Sequence, residues 1–325
     1  MKNKNILFRA NSSFDIGTGH IMRDLVLAKK YSNAHIIFAT ENLDGNINHK
    51  IIEDGYKVHL LNSNNIEELA KYILDKHINL LIIDNYSIDY NFEKELKEKT
   101  NVEILSFDDT YEKHYCDSLL NHNIYGDISK YEDLVPENCT VQCGIQYTLL
   151  RDEFLNLNIQ KKSIEKNDKL KVFIAMGGAD SKNMNIHILE EIKKLNLNIE
   201  LVTTRANTNL RLLEEYIYSK TNITLHIDSK NIADIIKGCD IAIVTPSVMV
   251  NEIIFFQMPF ISIMVTDNQK YMHAFLKKKE IPCLKNTELK YLNEYIEKLY
   301  NPKDYNNQVE IIKNIINESL FIKDN

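Results

Sequence analysis

The sequence predicts an α/β protein made of two Rossmann-like domains with a cleft between them. Three observations predict it. Short apolar runs alternate with amphipathic helical stretches along the chain, and that rhythm restarts once after a polar stretch. The length, 325 residues, suits two domains at roughly 100–200 residues each.

In the first half, Ile6–Phe8 reads as a strand, Ile21–Tyr31 as a helix, and His35–Ala39 and Val58–Leu61 as strands, with Ile66–Lys76 helical. Leu80–Asp84 (LLIID) is a continuous apolar run ending in an acid, the pattern of a strand buried on both faces. Phe92–Lys99 is helical, and Val102–Phe107 is a strand ending at Asp108-Asp109. This predicts a parallel sheet covered by helices over residues 1–155. Asn156–Lys169 is charged and lacks apolar periodicity, which marks a linker. The second domain, 170–300, opens with strand Leu170–Met176 followed by Gly177-Gly178. Helix Met184–Leu195, strand Ile199–Thr203, helix Leu210–Ser219 and strand Ile223–His226 come next. Helix Ile232–Lys237, strand Ile241–Val244, helix Val248–Phe256, strand Phe260–Met264 and helix Tyr271–Lys278 complete the pattern. Glu288–Leu299 and Tyr305–Leu320 read as helices, the latter within a C-terminal segment 301–325.

Composition narrows the function classes. Hydrophobic residues at 44% and charged residues at 26% are ordinary globular usage. A net charge of −7 opposes approach to phosphate-rich surfaces, so neither nucleic acid nor an anionic membrane is an expected partner. No apolar run reaches membrane-spanning length, and the first residues lack a signal-peptide pattern. The five cysteines, Cys116, Cys139, Cys143, Cys239 and Cys283, form no C-x-x-C and are expected as buried free thiols in a reducing cytoplasm. A monomer is expected.

Ligands in such sheets bind at the carboxyl ends of strands, and with two domains the cleft between them is the expected place. Three features stand at strand ends. The loop Arg9–His20 carries Gly17 and Gly19, which permit a tight turn and close approach of a ligand, and delivers His20 to a helix start. Its spacing is not the dinucleotide fingerprint, since a third glycine is missing and Arg23 is charged; a βα turn with a capping His fits equally. Gly177-Gly178 precedes a helix, where backbone N–H groups and the helix dipole favour an anion. Ser247 is placed to cap the helix carrying Asn251 and Glu252; Glu252 could accept both ribose hydroxyls or simply compensate the dipole.

Taken together, Ile16–Lys29 (IGTGHIMRDLVLAK), Leu81–Tyr86 (LIIDNY), Leu105–Asp109 (LSFDD), Tyr147–Phe154 (YTLLRDEF), Met176-Gly177-Gly178 and Val250-Asn251-Glu252 closely resemble the bacterial UDP-2,4-diacetamido-2,4,6-trideoxy-β-L-altropyranose hydrolases of pseudaminic acid biosynthesis. The motifs appear in family order, to about Glu280. The resemblance implies a GT-B-like fold and transfer of the sugar to water. It implies that UDP binds the second domain through Gly177, Gly178, Ser247, Asn251 and Glu252. The sugar would face the first domain, with His20 as the catalytic base and Tyr86 near the sugar. Gly17, Gly19, Arg23 and Arg151 join the expected substrate contacts, Arg151 for positioning or charge stabilisation. Departures fall at Ala179-Asp180, at Thr203–Asn209 and at Asn85, where the family pattern leads to His; they bear on the sugar more than on the reaction.

The chemistry is coherent. UDP is a good leaving group, helix N-termini can hold its charge, and a His suits water activation at neutral pH. One base opposite the leaving group gives inversion. Asp15 and Asp24 are the candidates for orienting the imidazole. No cofactor or metal is expected, as Asp108-Asp109 has no partner motif. The alternatives are a GT-B glycosyltransferase using the same donor on another acceptor, a hydrolysing UDP-N-acetylglucosamine 2-epimerase, and a nucleotide-sugar-binding regulator without turnover.

Overall fold

A computed structural model gives the structure of residues 4–155 and 169–320. The expected linker, apart from Lys169, lies outside the described residues. The chain divides into two units, Met1–Leu149 and Leu150–Asn325, which places Arg151 in the second unit rather than in the expected first domain.

The first unit runs β1 (Asn5–Ala10), α1 (Gly19–Lys29), β2 (His35–Glu41), α2 (Asn48–Glu53), β3 (Lys57–Leu61), α3 (Ile66–Asp75), β4 (Leu80–Asp84), α4 (Tyr90–Thr100), β5 (Glu103–Phe107), β6 (Ser118–Asn121) and β7 (Thr140–Cys143). Its seven strands are all parallel, in the order β3-β2-β1-β4-β5-β6-β7. Helices cover both faces, so neighbouring residues on one strand bury in different cores. Ile6, Phe8, Phe38 and Ile82 pack with Ile21 and Leu25 of α1; Leu7, Ile37, Leu81 and Ile83 pack with Leu69 and Ile73 of α3 and Leu96 of α4. That double burial is why these strands read as unbroken apolar runs. Asn65 and Asp89 cap α3 and α4 by accepting from the backbone N–H of Glu68 and Phe92. The strands β6 and β7 and the helix α2 were not expected. At four residues each, β6 and β7 show too little pattern, and only their pairing with β5 and with each other defines them.

The second unit runs α5 (Asp152–Leu155), β8 (Lys171–Ala175), α6 (Met184–Ile192), β9 (Asn198–Thr203), α7 (Leu210–Ile217), β10 (Ile223–Ile227), α8 (Ile232–Lys237), β11 (Ile241–Val244), α9 (Val248–Phe255), β12 (Phe260–Met264), α10 (Lys270–Lys278), β13 (Cys283–Lys285), α11 (Leu292–Leu299) and α12 (Pro302–Leu320). Six parallel strands are ordered β10-β9-β8-β11-β12-β13. The expected helix Glu288–Leu299 resolves into a 3₁₀ segment, Asn286–Tyr291, followed by α11. Val172, Ile174, Leu201, Ile243 and Ile261 form the core against Ile188 and Leu189 of α6 and Ile296 of α11. All five cysteines are free, but Cys139 and Cys283 are half-buried rather than buried. Among the described residues no helix is long and apolar enough to cross a membrane.

Candidate active site

The carboxyl ends of β1 and β4 lie side by side, with Ala10 paired to Asp84. The loop leaving β1 folds on itself: Ser13 and Gly17 form a small antiparallel bridge, and the Ser13 hydroxyl accepts from the backbone N–H groups of Asp15 and Ile16. Gly17 makes this turn at φ +83°, a conformation L side chains rarely adopt. Helix α1 then begins at Gly19, and His20 and Arg23, one turn apart, point to one face.

That face meets Asp84. His20 Nδ1 lies 2.6 Å from Asp84 Oδ1. Arg23 donates to the same carboxylate twice, from Nε to Oδ2 at 2.6 Å and from Nη2 to Oδ1 at 2.5 Å. Its Nη1 donates to Asp109 Oδ2 at 2.9 Å, and the Tyr86 hydroxyl donates to Asp109 Oδ1 at 2.8 Å. The Tyr86 ring stands edge-on to the His20 ring with centroids 4.8 Å apart, and half of its surface is open. Burial opposes a charge on Asp84, but Arg23 and His20 together outweigh it and hold its carboxyl well below the usual carboxylate range. An ionised Asp84 can accept a proton from His20 Nδ1, an arrangement that would direct Nε2 away from the carboxylate; Arg23 Nη2 also lies 3.2 Å from Nδ1. His122 Nε2 lies 3.5 Å from Arg23 Nη1, and burial, with Arg23 next in size, pushes that imidazole down to about 3.

Several expectations change. Neither Asp15 nor Asp24 orients His20; Asp84 does. Asp15 is exposed at the loop tip. Asp24 is fully buried, and its carboxyl oxygens have no hydrogen-bond partner among the described residues. Burial, and then the charge of Asp84, push it well above the usual carboxylate range. Arg23, expected to touch substrate, is 6% exposed and spends its guanidinium on Asp84 and Asp109. The residues that sequence reasoning missed are Asp84 and Asp109. Both stand at the carboxyl end of a buried strand and inside the family-like motifs Leu81–Tyr86 and Leu105–Asp109, but neither was given a role there. Asp108 serves structure instead, accepting from the Tyr131 hydroxyl and from the backbone N–H groups of Thr110 and Tyr111.

In the second unit, Gly177 turns at φ +87° and faces open space after β8. The helix expected behind it begins only at Met184, and its first amides already donate to Asp180, at 2.7 Å from Met184 and 3.1 Å from Asn185. The Gly178 carbonyl accepts from the Thr204 hydroxyl at 2.9 Å. Ser247 stands at the N-cap of α9 but does not cap it; its hydroxyl pairs with that of Thr245 at 3.0 Å. Asn251 and Glu252 are buried one turn into that helix. Glu252 accepts from Arg151 twice, from Nε to Oε1 at 2.6 Å and from Nη2 to Oε2 at 2.7 Å. The ribose partner expected from sequence therefore already holds a cation.

Comparisons with known proteins bear on this arrangement. No protein-family model matches the sequence. The chain is 29% identical to an uncharacterized protein of Methanocaldococcus jannaschii over 82% of this chain and 57% of that protein. Among solved structures, MurG of Acinetobacter baumannii superposes with a TM-score of 0.62 at 11% identity, covering 98% of this chain and 99% of that one, a likeness of GT-B fold. The UDP-2,4-diacetamido-2,4,6-trideoxy-β-L-altropyranose hydrolase of Campylobacter jejuni subsp. jejuni serotype O:2 is 41% identical over 84% of this chain and 96% of its own length. At that identity and coverage, this chain belongs to the family of that hydrolase.

Proposed function

We propose that the protein hydrolyses UDP-2,4-diacetamido-2,4,6-trideoxy-β-L-altropyranose to UDP and the free sugar, as a step toward pseudaminic acid. The substrate follows from the relative, and the chemistry from one observation: His20, held at Nδ1 by an ionised Asp84 whose two oxygens Arg23 also grips. Nε2 takes a proton from water, which attacks the anomeric carbon, breaks the bond to the diphosphate oxygen and inverts the centre. Two carboxylates, Asp84 and Asp109, face one guanidinium, so the cluster has one excess negative charge that the imidazolium neutralises. Tyr86 presents its ring to the sugar while Asp109 holds its hydroxyl.

UDP is assigned to the second unit. The open turn at Gly177-Gly178 and the start of α9, where the Ser247 side chain gives no cap, suit the diphosphate; Asn251 and Glu252 suit the nucleoside. No D-x-D motif stands in the sequence, which favours a metal-independent reaction. The reading includes a cytoplasmic monomer that binds neither nucleic acid nor membrane, in keeping with the charge of −7. The GT-B likeness favours transfer to an acceptor other than water as the second reading.

Reaction in ¹⁸O-water with EDTA and no acceptor tests the proposal. The expected result is UDP release at an undiminished rate, with label in the sugar and an inverted anomer caught early by NMR. Label in UDP, or activity lost to chelation and restored by Mg²⁺, would overturn the mechanism. Release only with an added acceptor would establish the second reading.

A further inference from the structure

Glu252 is buried, and its carboxylate lies under the guanidinium of Arg151, which is itself partly open to solvent: the side chains are 3% and 23% exposed. The guanidinium is thus the more open member of the pair. Both carboxylate oxygens are engaged by the guanidinium fork and the carboxylate is 3% exposed, so a ribose diol gains full access to them by displacing it. Displacement that left the buried Glu252 carboxylate without a partner would be costly, and the guanidinium would be left with Glu153 alone. A nucleoside diphosphate removes that obstacle, because it brings a partner for each: two hydroxyl donors for the carboxylate and an anion of matching fork geometry for the guanidinium.

We infer that nucleotide binding exchanges these partners: the ribose hydroxyls take over Glu252, and the freed Arg151 guanidinium takes the diphosphate. This rests on the reading of Glu252 as the ribose acceptor and adds a phosphate-sensing role for Arg151. The local structure lets the side chain swing on a fixed base. Arg151 immediately precedes the short helix α5. That turn is tied to the second unit by Glu153, which accepts from the backbone N–H of Ala233 at 3.1 Å. Glu153 also holds Arg151 Nη1 at 2.9 Å, a contact that can persist as Nε and Nη2 change partners. Uridine alone supplies only half of the exchange, so the site favours a nucleotide that carries its phosphates over the free nucleoside.

The test is the ratio of uridine to UDP dissociation constants, measured by calorimetry on the full chain. For Arg151→Ala, UDP binding should weaken about tenfold or more, as expected when a charged hydrogen-bonding partner of phosphate is lost, while uridine binding holds or tightens. Arg151→Lys keeps the charge without the fork and should fall between, which covers a failure of the alanine variant to fold. Glu252→Gln should weaken uridine and UDP by the same factor. Equal weakening of both ligands in Arg151→Ala would overturn the exchange and leave Arg151 a structural pin. Unchanged binding of both would place the phosphates elsewhere and overturn it too. Wild-type protein that binds neither ligand would overturn the nucleotide reading itself, and the exchange with it.

Discussion

Replacing Asp84 by asparagine is the most demanding perturbation of the first unit. The carboxylate accepts three hydrogen bonds: one from His20 at 2.6 Å and two from Arg23 at 2.6 and 2.5 Å. A carboxamide of the same shape has one acceptor oxygen and a donor NH₂. If the oxygen stays with Arg23 Nε, the NH₂ takes the place of Oδ1, where it confronts Arg23 Nη2 and faces His20 Nδ1, forcing Nδ1 to accept and moving the proton to Nε2, the nitrogen needed for water. If the amide turns over, NH₂ confronts the guanidinium. Loss of the base function should lower kcat by about 10²–10⁴. Stability should fall as well, by up to about 3–5 kcal/mol for a buried ion pair broken on one side, with Asp109 at 2.9 Å moderating the loss. The sign of the pH dependence follows from the depressed folded value. Asp84 stabilises fully above the unfolded carboxyl value of about 3.9, and that contribution is lost as the pH falls toward the lower folded one. The gap between wild type and variant in urea unfolding should therefore be widest at neutral pH and narrow in acid. UDP release gives kcat, and calorimetry with UDP checks that the second unit is unaffected. A folded Asp84→Asn variant within threefold of wild-type kcat would refute the orienting role.

His20→Asn should cut turnover by about 100-fold or more while leaving the UDP dissociation constant nearly unchanged; near-normal turnover would remove His20 from the mechanism. Tyr86→Phe keeps the ring beside His20 and removes only the bond to Asp109, so a loss of about threefold to tenfold in kcat/KM is expected, and none would mean the hydroxyl is idle. His114 is buried with Nδ1 2.9 Å from Glu93 and Nε2 3.9 Å from Asp108. Burial opposes its charge, yet the two carboxylates prevail and lift it to about 10. A raised folded value stabilises below the unfolded 6.5 and is lost as pH climbs to the folded one, so stability should drop by about 1.4 kcal/mol per unit from pH 7 toward 10. Urea titrations across that range should show the slope flattened in His114→Gln; an identical slope would exclude His114 as its source.

The fold was legible where burial leaves a signature along the chain. LLIID at β4 and the apolar runs of β1 and β11 are sealed on both faces, and sequence shows that directly. Where identity depends on a neighbour, as in β6 and β7, nothing local announces the element. The site divides the same way. His20 follows a glycine turn at a helix start, a local pattern. Asp84 is 64 residues from His20, and an acid at a strand end is commonplace, so its partnership appears only once β1 and β4 lie together. Glu252 was found as a polar residue near a helix start, but its cation comes from 101 residues away. Ser247 shows the opposite error: the residue type suits a cap, and a nearby hydroxyl won the competition.

The pairing of Ala10 with Asp84 has a consequence for how the protein's assembly can be followed. Side chains alternate across a sheet, so a slip of β4 by one residue against β1 would carry Asp84 to the opposite face. Such a slip could keep much of the apolar burial, since both faces of these strands are greasy, and far-ultraviolet signals would hardly notice. His20 and Arg23 would notice at once, having lost their common anchor. Recovery of turnover during refolding therefore reports on strand register rather than on collapse. Chains that regain helicity ahead of activity would contain a population mispaired by a single residue.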